Sequence, residues 1–167
     1  MQTFQWNIAD ILAAHPDLYL EHCVVMAVAL MSNWSASPCE FLVECEGFSP
    51  PALQGESSFL VHVTWSEQTS VTAARIWHTE QPKPILERAA VALAALLFAH
   101  LIPDGQMRVT EQGQRADYWL PSCNVPWKSA ARNTAGKCAC IEKVGGQFLN
   151  GDLSPIQLAW MELTMEC

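Results

Sequence analysis

Residues 84–101, with the sequence PILERAAVALAALLFAHL, decide the fold because they contain the longest uninterrupted apolar run of the chain. Pro84 suits the first turn of a helix, where its missing N–H group is not needed, and Glu87 complements the positive end of the helix dipole. The run from Ala89 to Ala99 is apolar on every side, which predicts burial on more than one side. It is well short of the roughly 20 residues that cross a bilayer. We therefore predict a central core helix rather than a membrane span.

The segments before this helix predict further elements. A short amphipathic helix is expected from near Asn7 to His15, where Pro16 stops it. The apolar run from Tyr19 to Met31 fits a strand or a helix by periodicity, and we favour a strand that forms a hairpin with residues 41–46. Residues 59–65 are the clearest strand, since apolar side chains recur at every second position. Residues 71–78 predict a short helix.

The segments after the central helix differ in character. Residues 107–110 and 116–120 flank a polar loop, which predicts a second hairpin. Residues 121–151 lack periodicity and predict an irregular arm. Ser154 and Pro155 are typical of an N-cap and first turn, so residues 154–165 predict a final helix.

Together these elements predict an α+β fold. A small antiparallel sheet packs on the central alanine-rich helix, and an irregular C-terminal arm ends in a short helix. Residues 1–120 are expected to form the core domain. Residues 121–167 are expected to pack on that core or on a partner.

The charge distribution indicates which classes of partner this chain can bind. The net charge is −8, and residues 1–83 hold nine acidic residues against two basic ones. Because phosphate binding needs clustered Lys and Arg, this distribution disfavours direct binding to duplex nucleic acid. An acidic surface instead suits a protein partner with a basic surface, or simply maintains solubility.

The cysteines and the N-terminus indicate a reducing compartment. The seven cysteines are scattered through apolar segments, unlike a disulfide framework. Cys123, Cys138 and Cys140 are a weak alternative zinc set, since zinc sites usually show a second pair of ligands. No cofactor is predicted. The first residues have neither a basic region nor an apolar core typical of a signal peptide, so a cytoplasmic location is expected.

Familiar catalytic motifs are missing from the sequence, which favours a non-enzymatic role. Phosphate-loop, dinucleotide-binding, zincin and α/β-hydrolase signatures do not occur. The alternative is a divergent metal-dependent nuclease of restriction-endonuclease-like type. In that reading Asp117 and Glu142 hold Mg2+ and Lys143 lies near the phosphate. The spacing is atypical, because Glu142 and Lys143 are adjacent, and a structural role for Asp117 at a turn is the competing interpretation.

Aromatic and acidic residues provide candidate interface positions. Large aromatic side chains near turns and chain ends often anchor interfaces. The candidate interface residues are Trp6, Trp34, Trp127, Trp160, Leu163, Glu40, Glu44 and Glu46.

Two segments resemble known families. Residues 59–65, the alanine-rich helix and the segment Gly113 to Leu120 resemble a group of uncharacterised bacterial proteins with a Gly-x-x-Asp-Tyr-Trp-Leu segment. The tail from Leu120 to Leu163 is similar to the non-catalytic C-terminal ends of phage cytosine DNA methyltransferases. These resemblances imply phage or mobile-element surroundings and no activity.

The sequence therefore predicts a protein-protein interaction protein. We expect an accessory subunit or inhibitor of a larger bacterial or phage nucleic-acid-processing or defence complex. A homodimer formed through the last helix is an equal alternative for the partner.

Overall fold

The computed structural model describes residues 2–33, 35–46, 51–102 and 104–109, together with four strands in the C-terminal part of the chain. The strands are β1 (Gln2–Asn7), β2 (Cys39–Glu46), β3 (Ser58–Thr64), β4 (Arg108–Val109), β5 (Tyr118–Leu120), β6 (Val125–Ala130), β7 (Lys137–Lys143) and β8 (Trp160–Met165). The helices are α1 (Asp10–Ala14), α2 (Glu21–Ser32), α3 (Glu67–Thr79) and α4 (Pro82–Leu101), and residues Pro51–Leu53 form a single 3₁₀ turn.

The strands form one mixed sheet in the order β1-β3-β2-β8-β7-β6-β5-β4. Strands β1 and β3 are parallel, and the remaining neighbours are antiparallel. The α+β class is thereby confirmed, and the sheet is mixed where an antiparallel one was predicted, because β1 runs parallel to β3. The β4–β5 pair confirms the predicted hairpin around the polar loop.

The core lies between the sheet and the helices. Phe59, Val61 and Val63 are at most 1% exposed, which confirms the predicted buried face of β3. Helix α4 begins at Pro82, two residues earlier than predicted, and packs against both α1 and α2. By length and composition α4 is apolar enough to cross a membrane, but 61% of that segment is buried inside the protein, as in a core helix.

The Tyr19–Met31 segment is a helix, so the prediction of a strand and of its hairpin with residues 41–46 is wrong. Helix α2 lies between α3 and α4, and six consecutive residues from Met26 to Met31 are buried. A run buried on every side has no periodicity, so its length is the better guide. Twelve residues are long for a strand and ordinary for a helix. Strand β2 instead pairs with β3 and β8.

Both chain ends differ from the sequence prediction. The expected N-terminal helix from near Asn7 to His15 is confirmed in type as α1 (Asp10–Ala14), but residues 2–7 before it form strand β1, which was not predicted. Residues 160–165 of the expected final helix form strand β8 instead, and residues 154–159 lie outside the described residues. Strands β6 and β7 occupy part of the expected irregular arm. Because β8 lies between β2 and β7, pairing with both neighbours favours a strand for residues 160–165. The domain boundary at residue 120 stays a prediction.

Candidate interaction surface

The buried side chain of His15 anchors the connection between α1 and α2 to the core. His15 is 1% exposed, and its Nε2 lies 2.8 Å from the carbonyl oxygen of Ala95 in α4. Its Nδ1 accepts a hydrogen bond from the Met107 N–H at 3.0 Å. These partners assign the neutral tautomer with the proton on Nε2. Burial lowers the pKa of His15, while the hydrogen bond to Ala95 opposes that shift.

The same connection displays Tyr19. Leu18 packs against the core and Leu20 is 3% exposed, whereas the Tyr19 side chain between them is 86% exposed. The backbone is held at both ends, since the Leu18 N–H donates to the His15 carbonyl and the Val24 N–H donates to that of Leu20. The tyrosine therefore extends into solvent from a short, well-anchored segment.

Acidic residues flank this tyrosine in the sequence. Asp17 and Glu21 lie two positions before and after Tyr19, and both are exposed. We call residues 16–21 the docking loop. Sequence reasoning missed it because Tyr19 was assigned to an apolar strand, and the Pro16-Asp17 dipeptide before it was the available turn signal.

Trp6, a predicted interface residue, lies in the core at 6% exposure. Its indole stacks on the His100 imidazole with the ring planes 3° apart and the centroids 4.5 Å apart. Phe4 and Phe59 complete this aromatic cluster. The end of α4 and its neighbours cover the Trp6 ring, so the prediction that Trp6 anchors a partner is wrong.

His100 forms a titratable pair with Asp10 at the edge of this cluster. Its Nε2 is buried and lies 3.5 Å from an Asp10 carboxylate oxygen, without the alignment of a hydrogen bond. Burial lowers the pKa of His100, and the Asp10 charge opposes that shift. The pair ties the start of α1 to the end of α4.

The predicted acidic residues of β2 fall on alternate positions of one strand. Glu40 is half-exposed and lies 2.6 Å from His62 Nε2 on β3. Glu44 is in register with Glu162 of β8, and Glu46 with Trp160. The sheet therefore brings predicted acidic and aromatic positions next to one another. Leu163 is in register with Val43 and follows Glu162 directly along β8.

A shallow cavity of about 320 Å³ opens between α2 and α3. Its lining consists of Ala29, Ser32, Asn33, Ala73, Ala74, Trp77 and His78. Val71, which is 48% exposed, lies one helical turn before Ala74 on α3. No sequence motif marks this cavity, since three of its seven lining residues are alanines.

The structure describes two of the three predicted nuclease residues. Asp117 lies outside the described residues, and Glu142 and Lys143 lie on β7. Glu142 is in register with Lys128 on one side and Trp160 on the other. The nuclease site therefore stays a prediction.

The residues of the weak zinc set and the remaining predicted tryptophans lie on the C-terminal strands or outside the described residues. Cys138 and Cys140 lie on β7, and Cys123 and Trp34 lie outside the described residues. Trp127 of β6 is in register with Tyr118 and Lys143. Among the residues that the structure describes, no three His, Cys, Asp or Glu side chains are grouped to hold a metal ion.

The buried cysteine of α2 is a core residue. Cys23 is 8% exposed, and burial raises the pKa of its thiol, with the Arg88 charge acting in the opposite direction. A raised thiol pKa reduces the fraction of the reactive thiolate. Cys23 therefore does not have the character of a catalytic nucleophile.

Comparisons with known proteins gave no match, whether to a family model, to a curated protein or to a solved structure.

Proposed function

We propose that this chain is a non-enzymatic interaction protein that binds a larger protein through the docking loop. The observation that carries the proposal is the 86% exposure of Tyr19 on a segment fixed by buried residues on both sides. Tyrosine is enriched at binding hot spots because it offers a large amphipathic surface with few rotatable bonds. An anchored loop loses less conformational entropy on binding than a mobile one. These two properties favour a docking role.

The charges around Tyr19 point to the chemistry of the partner. Asp17 and Glu21 are exposed on either side of the ring in the sequence, and the chain carries a net charge of −8. An Arg or Lys side chain of a partner satisfies both features, since it stacks on the phenol face and pairs with a carboxylate. The proposed partner therefore presents a basic surface.

Proteins that process nucleic acids carry basic channels, so such a complex is the partner class that we propose. In it the chain acts as an accessory subunit or an inhibitor, and its acidic surface accelerates association through complementary potentials. The nuclease alternative gains no support from the residues that the structure describes. We therefore propose a binding role and no catalytic one.

The test compares two single truncations of exposed side chains. C-terminally tagged wild-type protein, Tyr19→Ala and Val71→Ala are purified under native conditions from a bacterial host, and co-purifying proteins are quantified by mass spectrometry. Val71 is the matched control, because it is the other large hydrophobic side chain exposed among the described residues. Circular dichroism confirms that all three proteins are folded.

We expect a stoichiometric partner with wild type and Val71→Ala and a loss of at least about tenfold with Tyr19→Ala, as for a hot-spot residue. Equal recovery with Tyr19→Ala and wild type would refute the role of the loop. An equal loss with both variants would show that the effect is not specific to the loop and would also refute its role. Mg2+-dependent DNA cleavage by the purified chain would contradict the non-enzymatic assignment.

A further inference from the structure

Strand β1 forms one edge of the sheet and lacks the features that usually protect an edge. Its only pairing among the described residues is with β3. Exposed edges are commonly blocked by Lys, by Pro, by a bulge or by very short length. The six residues QTFQWN contain no charge and no proline, and their register with β3 is continuous.

The hydrogen bonds of β1 show which backbone groups point outward. The Ile8 N–H donates to the Thr64 carbonyl of β3. In a parallel pair, the N–H and C=O of alternate residues point to the same neighbour, so those of Phe4 and Trp6 also point to β3. The N–H and C=O of Thr3 and Gln5 consequently point to the open edge. No described residue pairs with these groups, and both residues are exposed.

The open part of the edge has defined limits. The Asn7 N–H also points outward, but it donates to an Asp10 carboxylate oxygen at 3.3 Å. The Gln2 N–H, like those of Phe4 and Trp6, points to the β3 side, where it donates to Glu56 at 3.0 Å. The outward groups of Thr3 and Gln5 are thus the open part of this edge, and the Asn7–Asp10 bond limits it at one end.

We propose that a second copy of this chain adds its own β1 to this edge in antiparallel orientation. The register places Thr3 of each copy opposite Gln5 of the other, with the two-fold axis at Phe4. Each of these two pairs exchanges two hydrogen bonds, which satisfies all the outward groups of both residues. The register leaves the Asn7–Asp10 bond undisturbed. Such a strand addition joins the two sheets into one.

The side chain at the axis supports this occupant. Phe4 is half-buried, with its ring edge-on to Phe59 at 5.4 Å and its other contacts in the aromatic cluster. In the proposed register, Phe4 faces Phe4 of the second copy as a non-hydrogen-bonded pair, the closer of the two pair types. Each ring covers the exposed part of the other, and cross-strand aromatic pairs stabilise sheets.

Charge distinguishes a second copy from an extended basic segment of another protein. Each copy carries a net charge of −8. The association of two copies is therefore opposed by repulsion and becomes tighter as salt is added. Binding of a basic segment would become weaker under the same change.

The test measures the association of the full chain with a C-terminal tag, so that β1 remains free. Sedimentation equilibrium is performed over a range of protein concentrations at low and moderate salt. Thr3→Pro removes one outward N–H on each copy, while Thr3→Val is the matched control that keeps the backbone group. Proline is tolerated on an edge strand when the lost N–H faces solvent.

A single pair of strands is a small interface, so we expect a monomer–dimer equilibrium rather than a permanent dimer. The dimer should become tighter as salt screens the repulsion between the two copies. Thr3→Pro should raise the dissociation constant at least about tenfold, while Thr3→Val should leave it within about twofold. Circular dichroism verifies that Thr3→Pro is folded, and Phe4→Leu, which should also weaken the dimer, replaces it if not. A monomer at every concentration would overturn the proposal, as would a dimer that neither substitution weakens or that salt dissociates.

Discussion

Replacing His15 with alanine tests the anchoring of the docking loop. His15 is 1% exposed and joins α1 to Ala95 of α4 and to Met107. The substitution removes both bonds and leaves the Met107 N–H buried without this acceptor. We expect His15→Ala to lower the free energy of unfolding substantially without changing the fold class.

The magnitude follows from two contributions. A buried donor without a partner costs about 1–3 kcal/mol. Loss of the packed imidazole leaves a cavity that costs roughly 2 kcal/mol more, by analogy with other core truncations. The expected loss is about 3–5 kcal/mol. For a chain of this length, it corresponds to a decrease in Tm of roughly 6–20 °C.

The assay is urea unfolding monitored by far-UV circular dichroism at pH 7.5, with thermal melts in parallel. His78→Ala is the control, because His78 is exposed on α3 and its truncation should change stability by no more than about 0.5 kcal/mol. A His15→Ala protein within about 1 kcal/mol of wild type would refute the anchoring argument.

Two further predictions concern pH and a close backbone contact. Burial lowers the pKa of both His15 and His100; the unfolded chain therefore binds more protons, and the stability present above about pH 6.5 should be lost as the pH falls through the lower folded-state pKa values. Urea midpoints that rise on acidification from pH 7.5 to pH 5.5 would contradict this sign. Gly105→Ala should destabilise by at least about 2 kcal/mol, since an added Cβ would lie 2.2 Å from the Phe98 carbonyl oxygen. Gly55→Ala, at φ +93° in open space, should cost only about 1 kcal/mol, and equal thermal melts of the two variants would argue against that contact.

The parts of the fold that could be predicted from the sequence have a clear local signal. Helix α4 follows from Pro84 and its long alanine-rich run, and β3 follows from Phe59, Val61 and Val63 at period two. Helix α3 is confirmed in type, although it begins at Glu67 with a Ser66 cap that the prediction did not include.

The parts that failed depend on partners distant in the sequence. Strand β1 exists because β3, more than fifty residues later, pairs with it, and the alternation of Phe4 and Trp6 alone is too short a pattern to predict a strand. The run 19–31 is buried by neighbouring helices on several sides, so no periodicity remained to separate helix from strand. The docking loop was missed for the same reason, because the strand assignment included Tyr19.

The residues of the candidate site also divide into those that the sequence could predict and those that it could not. Acidic positions on β2 could be placed in one strand from their alternation, and Glu40 is half-exposed as an interface residue requires. The burial of Trp6 could not be predicted, because it depends on His100 at the far end of α4. The interface roles of Glu44, Glu46, Trp127, Trp160 and Leu163 stay predictions.

The most direct test of the docking account is the affinity of the recovered partner for charge-reversal variants, measured by calorimetry at two salt concentrations. Asp17→Lys and Glu21→Lys reverse the two acids of the loop. Glu80→Lys and Glu67→Lys are their controls, and Glu67 matches Glu21 as an acidic residue in the first turn of a helix. The account predicts that the loop reversals weaken binding at least about tenfold and reduce its salt dependence, while the controls change it little. Equal effects of the two pairs, or binding that strengthens with salt, would contradict it.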